Sequence, residues 1–210
     1  MKTLLESIEK LKRSHISQQI RSKMERFEGA RKDRRRVFSE LCFCLLTANS
    51  SAEMGMKVQN AMDRNNGFVA FGEHELAKQL RSLGYRFYNV RAKYIVEARK
   101  NEPALWLAIK EGENEPDLRD WLVDNFKGLG YKEASHLLRN LGFENVAILD
   151  RHILRTLHEQ GLIDSVPKTL DRKRYLKYER ELERICRIVK LKQGELDFYL
   201  WYLKTGKVLK

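Results

Sequence analysis

The sequence predicts an all-α protein, on three observations. Apolar residues recur every three or four positions through most of the chain, only Pro103, Pro116 and Pro167 interrupt it, and no stretch alternates as a half-buried strand would. Leu4, Ile8 and Leu11 share one face of a first helix, and Ile20 and Met24 extend the same spacing. Between Arg36 and Thr47 the chain is apolar nearly all round (Val37, Phe38, Leu41, Phe43, Leu45, Leu46), the pattern of a central helix buried on every side. Further helices are expected at 53–64, 73–83, 87–100, 116–125, 132–141 and 151–160. Tyr175, Tyr178, Leu182, Ile185 and Val189 step by three and four, which predicts a long amphipathic helix over 171–190. A last helix, 193–204, carries Leu196, Leu200 and Leu203, and Gly206 is a natural stop after it. No internal repeat is evident.

The chain has 210 residues, of which 42% are hydrophobic, so it can bury a core as one large domain or two small, closely packed ones. Lys and Arg total 41 against 29 Asp and Glu, a formal net charge of +12. Such an excess suits a polyanionic partner, because each phosphate neutralised releases counterions. Charge alone does not choose between nucleic acid, a membrane surface and an ordinary basic protein. The run Arg31-Lys32-Asp33-Arg34-Arg35-Arg36 reads equally as a solvated helix start or a phosphate contact.

Cys42, Cys44 and Cys186 are the only cysteines. They form no CxxC pair and no Cys–His spacing for zinc, they are too few for a four-thiolate iron–sulfur cluster, and the first two read as small buried hydrophobes. The N-terminal residues lack the continuous apolar core of a signal peptide, and no segment is apolar enough to span a bilayer. The reading is a protein of the reducing cytoplasm with no membrane partner.

The chemistry is concentrated in Phe126-Lys127-Gly128-Leu129-Gly130-Tyr131-Lys132-Glu133-Ala134-Ser135, followed after Gly142 by Ala147-Ile148-Leu149-Asp150-Arg151-His152. One helix ends near Phe126, Gly-Leu-Gly makes a tight hairpin, and a second helix begins near Lys132. Glycine lets the backbone turn sharply and leaves no Cβ to keep a phosphate away, and the exposed N–H groups of the next helix start form an anion site. Any αα-hairpin can use glycine to turn, so the spacing to Asp150 matters. The helix from Lys132 to Leu141 rises ~15 Å at ~1.5 Å per residue. Gly142 can cap it, and residues 143–150 reach up to ~26 Å at ~3.3 Å each, enough to return to the helix start. Asp150 also stands before Arg-His-Ile-Leu as a helix N-cap, a structural role that is compatible with a chemical one.

This combination resembles the helix–hairpin–helix and catalytic-aspartate signature of the endonuclease-III-like DNA glycosylases, and most closely their compact archaeal and bacterial 8-oxoguanine branch. Leu45-Leu46-Thr47-Ala48-Asn49-Ser50-Ser51-Ala52 is similar to the family's end of the central helix, and Leu83-Gly84-Tyr85-Arg86-Phe87-Tyr88-Asn89 to its wedge loop. The resemblance implies two helical subdomains with DNA across the cleft between them; the sequence lacks the cysteine cluster of the family's iron–sulfur branches, and nothing in it indicates a cofactor or a required metal. The subdomains would be about 30–120, and about 121–210 together with 1–29, the second holding the hairpin.

By the same resemblance Lys132 is the nucleophile. As a neutral amine it would attack the deoxyribose C1′, displace the base and form a Schiff base, and β-elimination would then nick the strand. Burial and a helix N-terminus both favour a neutral amine. Asp150 would stabilise the positive charge that develops on the sugar. Gly128, Gly130, Arg151 and His152 would contact the sugar–phosphate backbone, Asn49 would fill the space the base leaves, and Phe87 would wedge into the duplex beside Arg86. Aromatics after Leu-Gly also pack where a helix begins, so the wedge loop keeps that reading too. The terminal Lys210 would reach the base pocket, where 8-oxoguanine needs an acceptor for its N7 proton, with Trp201 or Phe198 stacked on the ring. The expected partner is double-stranded DNA containing oxidised guanine, bound by a monomer at the nucleoid. A glycosylase for another damaged base and a non-enzymatic DNA-binding module stay open on these residues.

Overall fold

The computed structural model describes residues 1–112 and 114–210, and among the described residues every regular element is a helix. Packing groups the chain into two compact units, one of Met1–Glu28 with Leu138–Lys210 and the other of Gly29–Leu137. The sequence drew the second divide near residue 120. In the structure α9 (Glu115–Asn125) packs on α8 (Glu102–Glu111), and the fully buried Arg119 of α9 hydrogen-bonds Ser135. The hairpin and the start of the helix after it therefore belong with the central unit.

The unit Gly29–Leu137 is built around α3 (Arg34–Thr47), whose residues Val37 to Thr47 are all buried. Asp33 starts this helix by accepting from the Arg35 and Arg36 N–H groups at 2.9 and 3.3 Å. The neighbouring arginines are structural as well. Arg31 Nε donates to Ile109 O at 3.1 Å, and Arg34 makes a two-pronged ion pair with Glu102 at 2.6–2.8 Å. Helices α4 (Ala52–Asp63), α7 (Tyr88–Ala98) and α8 pack on α3. Two elements escaped the sequence reading: the single turn α5 (Gly67–Ala70) and α8 itself. Pro103 lies in the first turn of α8, where its fixed φ starts a helix instead of breaking one.

In the unit Met1–Glu28 with Leu138–Lys210, the N-terminal pattern resolves into two helices, α1 (Lys2–Lys12) and α2 (His15–Ala30). Ser14 breaks the continuous helix suggested by Leu4 to Met24. Its hydroxyl donates to Leu11 O at 2.7 Å and accepts from the Ile16 N–H at 3.2 Å, offering the backbone an alternative to the helical bonds. Helix α10 (Tyr131–Asn140) delivers its last residues to this unit, followed by α11 (Arg151–Glu159), α12 (Arg172–Val189) and α13 (Gln193–Thr205).

Helix α10 closes on a Schellman motif: Gly142 N–H bonds Arg139 O and Phe143 N–H bonds Leu138 O, at 2.9 and 3.0 Å. Gly142 has φ +81°, and a Cβ there would lie 2.7 Å from Glu28 Cα. All three cysteines are buried, and burial pushes the Cys186 thiol up to about 12.

Gly142→Ala combines a strained backbone with a clash against main chain and should cost about 3 kcal/mol, seen as a fall of roughly 6–12 °C in Tm. Gly161→Ala, also at positive φ but facing open space, should cost only about 1 kcal/mol in the same thermal melt.

Candidate active site

The hairpin is a four-residue turn closed by Leu129 N–H to Phe126 O at 3.1 Å. Gly128, third in the turn, has φ +87°, which a type II turn requires there. A Cβ on Gly128 would lie 2.4 Å from the Tyr94 ring and 3.0 Å from Arg91 Nη1, so the turn is pressed against α7. Gly130 is freer, since its Cβ would meet only Glu133 Oε2, at 3.2 Å. Helix α10 starts with Ala134 N–H bonded to Gly130 O at 2.8 Å.

Side chains clamp α9 and α10 on either side of this turn. Arg119 Nη1 donates to Ser135 Oγ at 3.2 Å, its guanidinium lies 5.4 Å from the Tyr131 ring, and the Tyr131 hydroxyl donates to Asp120 at 2.5 Å. Lys132 is thus the second residue of a helix whose start is fixed. Its side chain keeps 28% of its surface exposed, with the amine 3.6 Å from Glu133 Oε1.

Two further loops belong to the same unit as the hairpin. The end of α3 leaves carbonyls without helical partners, and side chains satisfy them: Tyr85 Oη donates to Leu46 O at 2.7 Å and Arg91 Nη2 to Ala48 O at 3.1 Å. Asn49 follows, exposed and left-handed with φ 60°. After α6 (Glu73–Ser82), Tyr85 turns inward and is buried. Burial raises its hydroxyl above the usual phenol range, with Arg91 opposing that by its charge and a hydrogen bond. Tyr85 therefore belongs to the core and leaves the exposed part of the loop to Arg86 and Phe87. The Arg86 guanidinium stands 4.4 Å from the centre of the Phe87 ring, which is half-buried. A pocket of about 420 Å³ opens between the end of α3, α7 and the hairpin, lined by Asn49, Arg91, Tyr94, Gly128, Gly130 and Glu133.

The other unit holds Asp150, Arg151, His152, Phe198, Trp201 and Lys210. Segment 143–150 is tied to α12 and α13: Tyr175 Oη donates to Ala147 O at 2.7 Å, Ala147 N–H donates to Glu179 at 2.8 Å, and Gly194 N–H donates to Glu144 O at 2.9 Å. It delivers Asp150 as the N-cap of α11, accepting from Ile153 N–H at 2.8 Å. Arg151 is exposed, and the His152 ring meets Trp201 edge-on at 4.6 Å.

Trp201 is half-buried, but Phe198 has no exposed surface. The Phe198 ring is 6.1 Å from Phe27 and 4.2 Å from the Arg139 guanidinium, which itself pairs with Asp197 at 2.7 Å. Phe198 is therefore a core residue, and its expected part in stacking on a base does not hold. Lys210 is close enough to lower the pKa of Lys23, together with Arg26, Arg139 and, above all, burial. Among the described residues no cluster of His, Cys, Asp and Glu is arranged to hold a metal ion, and no helix is long and apolar enough to cross a membrane.

Sequence reasoning missed Arg91, Tyr94 and Arg119. Only their packing against the glycine turn and the two helices beside it distinguishes them from surface residues of α7 and α9.

Residues 17–191 match the family model described as 8-oxoguanine DNA glycosylase. The 8-oxoguanine DNA glycosylase/AP lyase of Methanocaldococcus jannaschii is 48% identical over 99% of both chains, and that of Korarchaeum cryptofilum is 49% identical over 99% of this chain and 98% of its own. Among solved structures, the Methanocaldococcus jannaschii enzyme in complex with 15mer DNA containing 8-oxoguanine superposes with a TM-score of 0.94 at 47% identity, over 99% of this chain and 100% of that one. The 8-oxoguanine DNA glycosylase of Thermotoga maritima gives 0.93 at 40% identity, over 100% and 99%.

The two hairpin glycines should separate on substitution. Gly128→Ala should lower Tm by roughly 6–12 °C, because strain adds to a clash with Tyr94, whereas Gly130→Ala should stay within about 2 °C of the parent. Equal shifts would show that the turn is not pressed against α7.

Proposed function

The chain belongs to the 8-oxoguanine DNA glycosylase family, and from that premise we propose that it excises 8-oxoguanine from duplex DNA and then cleaves the strand at the abasic site. The observation that carries the reading is Lys132 itself, a partly exposed amine in the first turn of a helix that a glycine turn and the Arg119 and Tyr131 clamps hold in place.

Its amine attacks C1′ as the C1′–N9 bond breaks, and the departing base takes the electron pair and a proton. Loss of the amine proton with opening of the sugar gives the Schiff base, and removal of a C2′ proton then expels the 3′ phosphate. Asp150 stabilises the cationic sugar. Its cap bond to Ile153 supports that role, because a carboxylate held by the backbone needs no reorganisation as charge develops. Gly128 and Gly130 admit a phosphate to the start of α10, and Arg151 and His152 add contacts to the backbone of the nucleic acid. Phe87, with Arg86 over its ring, wedges into the stack as Asn49 fills the space left by the base. Trp201, braced by His152, stacks on the extruded base, and Lys210 lies with the groups that read it.

Borohydride should trap the protein covalently on duplex DNA containing 8-oxoguanine, and Lys132→Gln should abolish trapping. Undiminished trapping in that variant would remove Lys132 from its role, and binding without trapping by the parent would leave only a DNA-binding module. Asp150→Asn should leave Tm within about 2 °C, since Asn caps as well as Asp, yet slow base release at least tenfold more than it weakens DNA binding.

Trp201→Ala should slow release of 8-oxoguanine by about tenfold, in keeping with ~1–3 kcal/mol for a stacked base. Phe198→Ala should instead lose about 3–5 kcal/mol of stability in a denaturant titration, as expected of a core ring.

A further inference from the structure

Of the buried arginines Arg91, Arg119 and Arg139, Arg91 is the one that lines the pocket. It is 7% exposed, lies on α7 one turn after Phe87, and shares the pocket lining with Asn49 and Gly128. Its Nη2 donates to Ala48 O at 3.1 Å, immediately before Asn49. Its backbone N–H bonds Phe87 O at 3.0 Å, and its charge acts on the hydroxyl of Tyr85, immediately before Arg86 and Phe87. Its guanidinium lies 5.5 Å from the Tyr94 ring, and Nη1 would be 3.0 Å from any Cβ on Gly128. Buried Nε has no hydrogen-bond partner, a cost borne for a side chain spread across three loops.

We infer that Arg91 is the positioning residue that fixes the gap-filling turn at Asn49 and the wedge at Phe87 relative to the nucleophile's hairpin, so that base extrusion and attack occur in one frame. The inference rests on the proposed glycosylase reading.

The three loops do not depend on Arg91 equally. The hairpin has independent supports in its own turn bond, the Arg119–Ser135 contact and the Tyr131–Asp120 bond. The Tyr85 loop is held by Leu46 O as well. Ala48 O, at the last backbone position before Asn49, is bonded by Arg91. Removing the guanidinium therefore loosens the parts that act on an intact stack more than the part that carries the amine. An abasic site presents no base to extrude, and strand cleavage there needs chiefly the amine. Lysine cannot substitute in full, because a point charge lacks the planar fork that spans several acceptors.

The test compares two single-turnover rates in Arg91→Met and Arg91→Lys: base release from an 8-oxoguanine duplex, and strand cleavage at a preformed abasic site in the same duplex. Fluorescence of 2-aminopurine placed beside the lesion follows extrusion directly. Arg91→Met should slow base release at least tenfold and cut the fluorescence change by a similar factor, while cleavage at the abasic site falls less than threefold. Arg91→Lys should recover part of both lost signals. If Arg91→Met does not fold, by circular dichroism and melting, the same ratio is read in Arg91→Lys. Equal losses on the two substrates, or no loss on either, would overturn the inference. A parent protein that releases no 8-oxoguanine would instead sink the underlying glycosylase reading.

Discussion

The missing side chain at Gly128 is the constraint on which the central unit depends. The turn lies so close to α7 that even a methyl group would enter the Tyr94 ring, and the left-handed backbone there closes the turn from Phe126 to Leu129. Close approach and tight turning are separate demands, and glycine meets both. Because α10 begins three residues after Gly128, the direction of its first turn, and with it the origin of the Lys132 side chain, follows from this contact. The Arg119 and Tyr131 clamps then prevent the helix pair from opening about the turn.

Asp150 is placed by a different device. An extended segment would leave its backbone groups without partners, and here Tyr175, Glu179 and the start of α13 supply them. The segment is thus held along its length and ends in a carboxylate bound to the next helix. Structural and chemical roles do not compete at such a position. The cap bond occupies Oδ1 in the direction of Ile153 and confines the side chain that the proposed chemistry uses.

What was legible in the sequence followed from local chemistry. An all-apolar segment gave the central helix, Gly-Leu-Gly gave the turn, and an Asp before a helical run gave its own cap, because each signal is complete within a few residues. What stayed illegible needed tertiary partners. Ser14 looks like one polar residue within a helical pattern until its hydroxyl bonds the backbone on both sides. Phe198 and Trp201 are three positions apart on one helix and equally suited to stack on a base, and only the presence of Phe27 and Arg139 around Phe198 separates them. The hairpin went with the central unit because of a buried Arg119–Ser135 bond that no spacing announces.

The same limit governs the reading of charge. A net charge of +12 invites every Arg and Lys to be counted toward a polyanion, yet Arg91, Arg119 and Arg139 are at most 7% exposed. Each lies against an aromatic ring: Arg91 on Tyr94, Arg119 on Tyr131, Arg139 on Phe27 and Phe198. A ring face offsets part of the desolvation of a guanidinium, by about 0.5–2 kcal/mol, and the hydrogen bonds and ion pairs made in the plane offset more. An ammonium is more strongly hydrated and has no plane to stack, so arginine is the cation that can be taken inside at this cost. Arg31 and Arg34, from the most basic run in the sequence, are likewise engaged with Ile109 and Glu102. Part of the basic composition that first suggested nucleic acid is therefore interior framework. It braces loops and helices, and only the cations left on the surface remain to attract a polyanion directly.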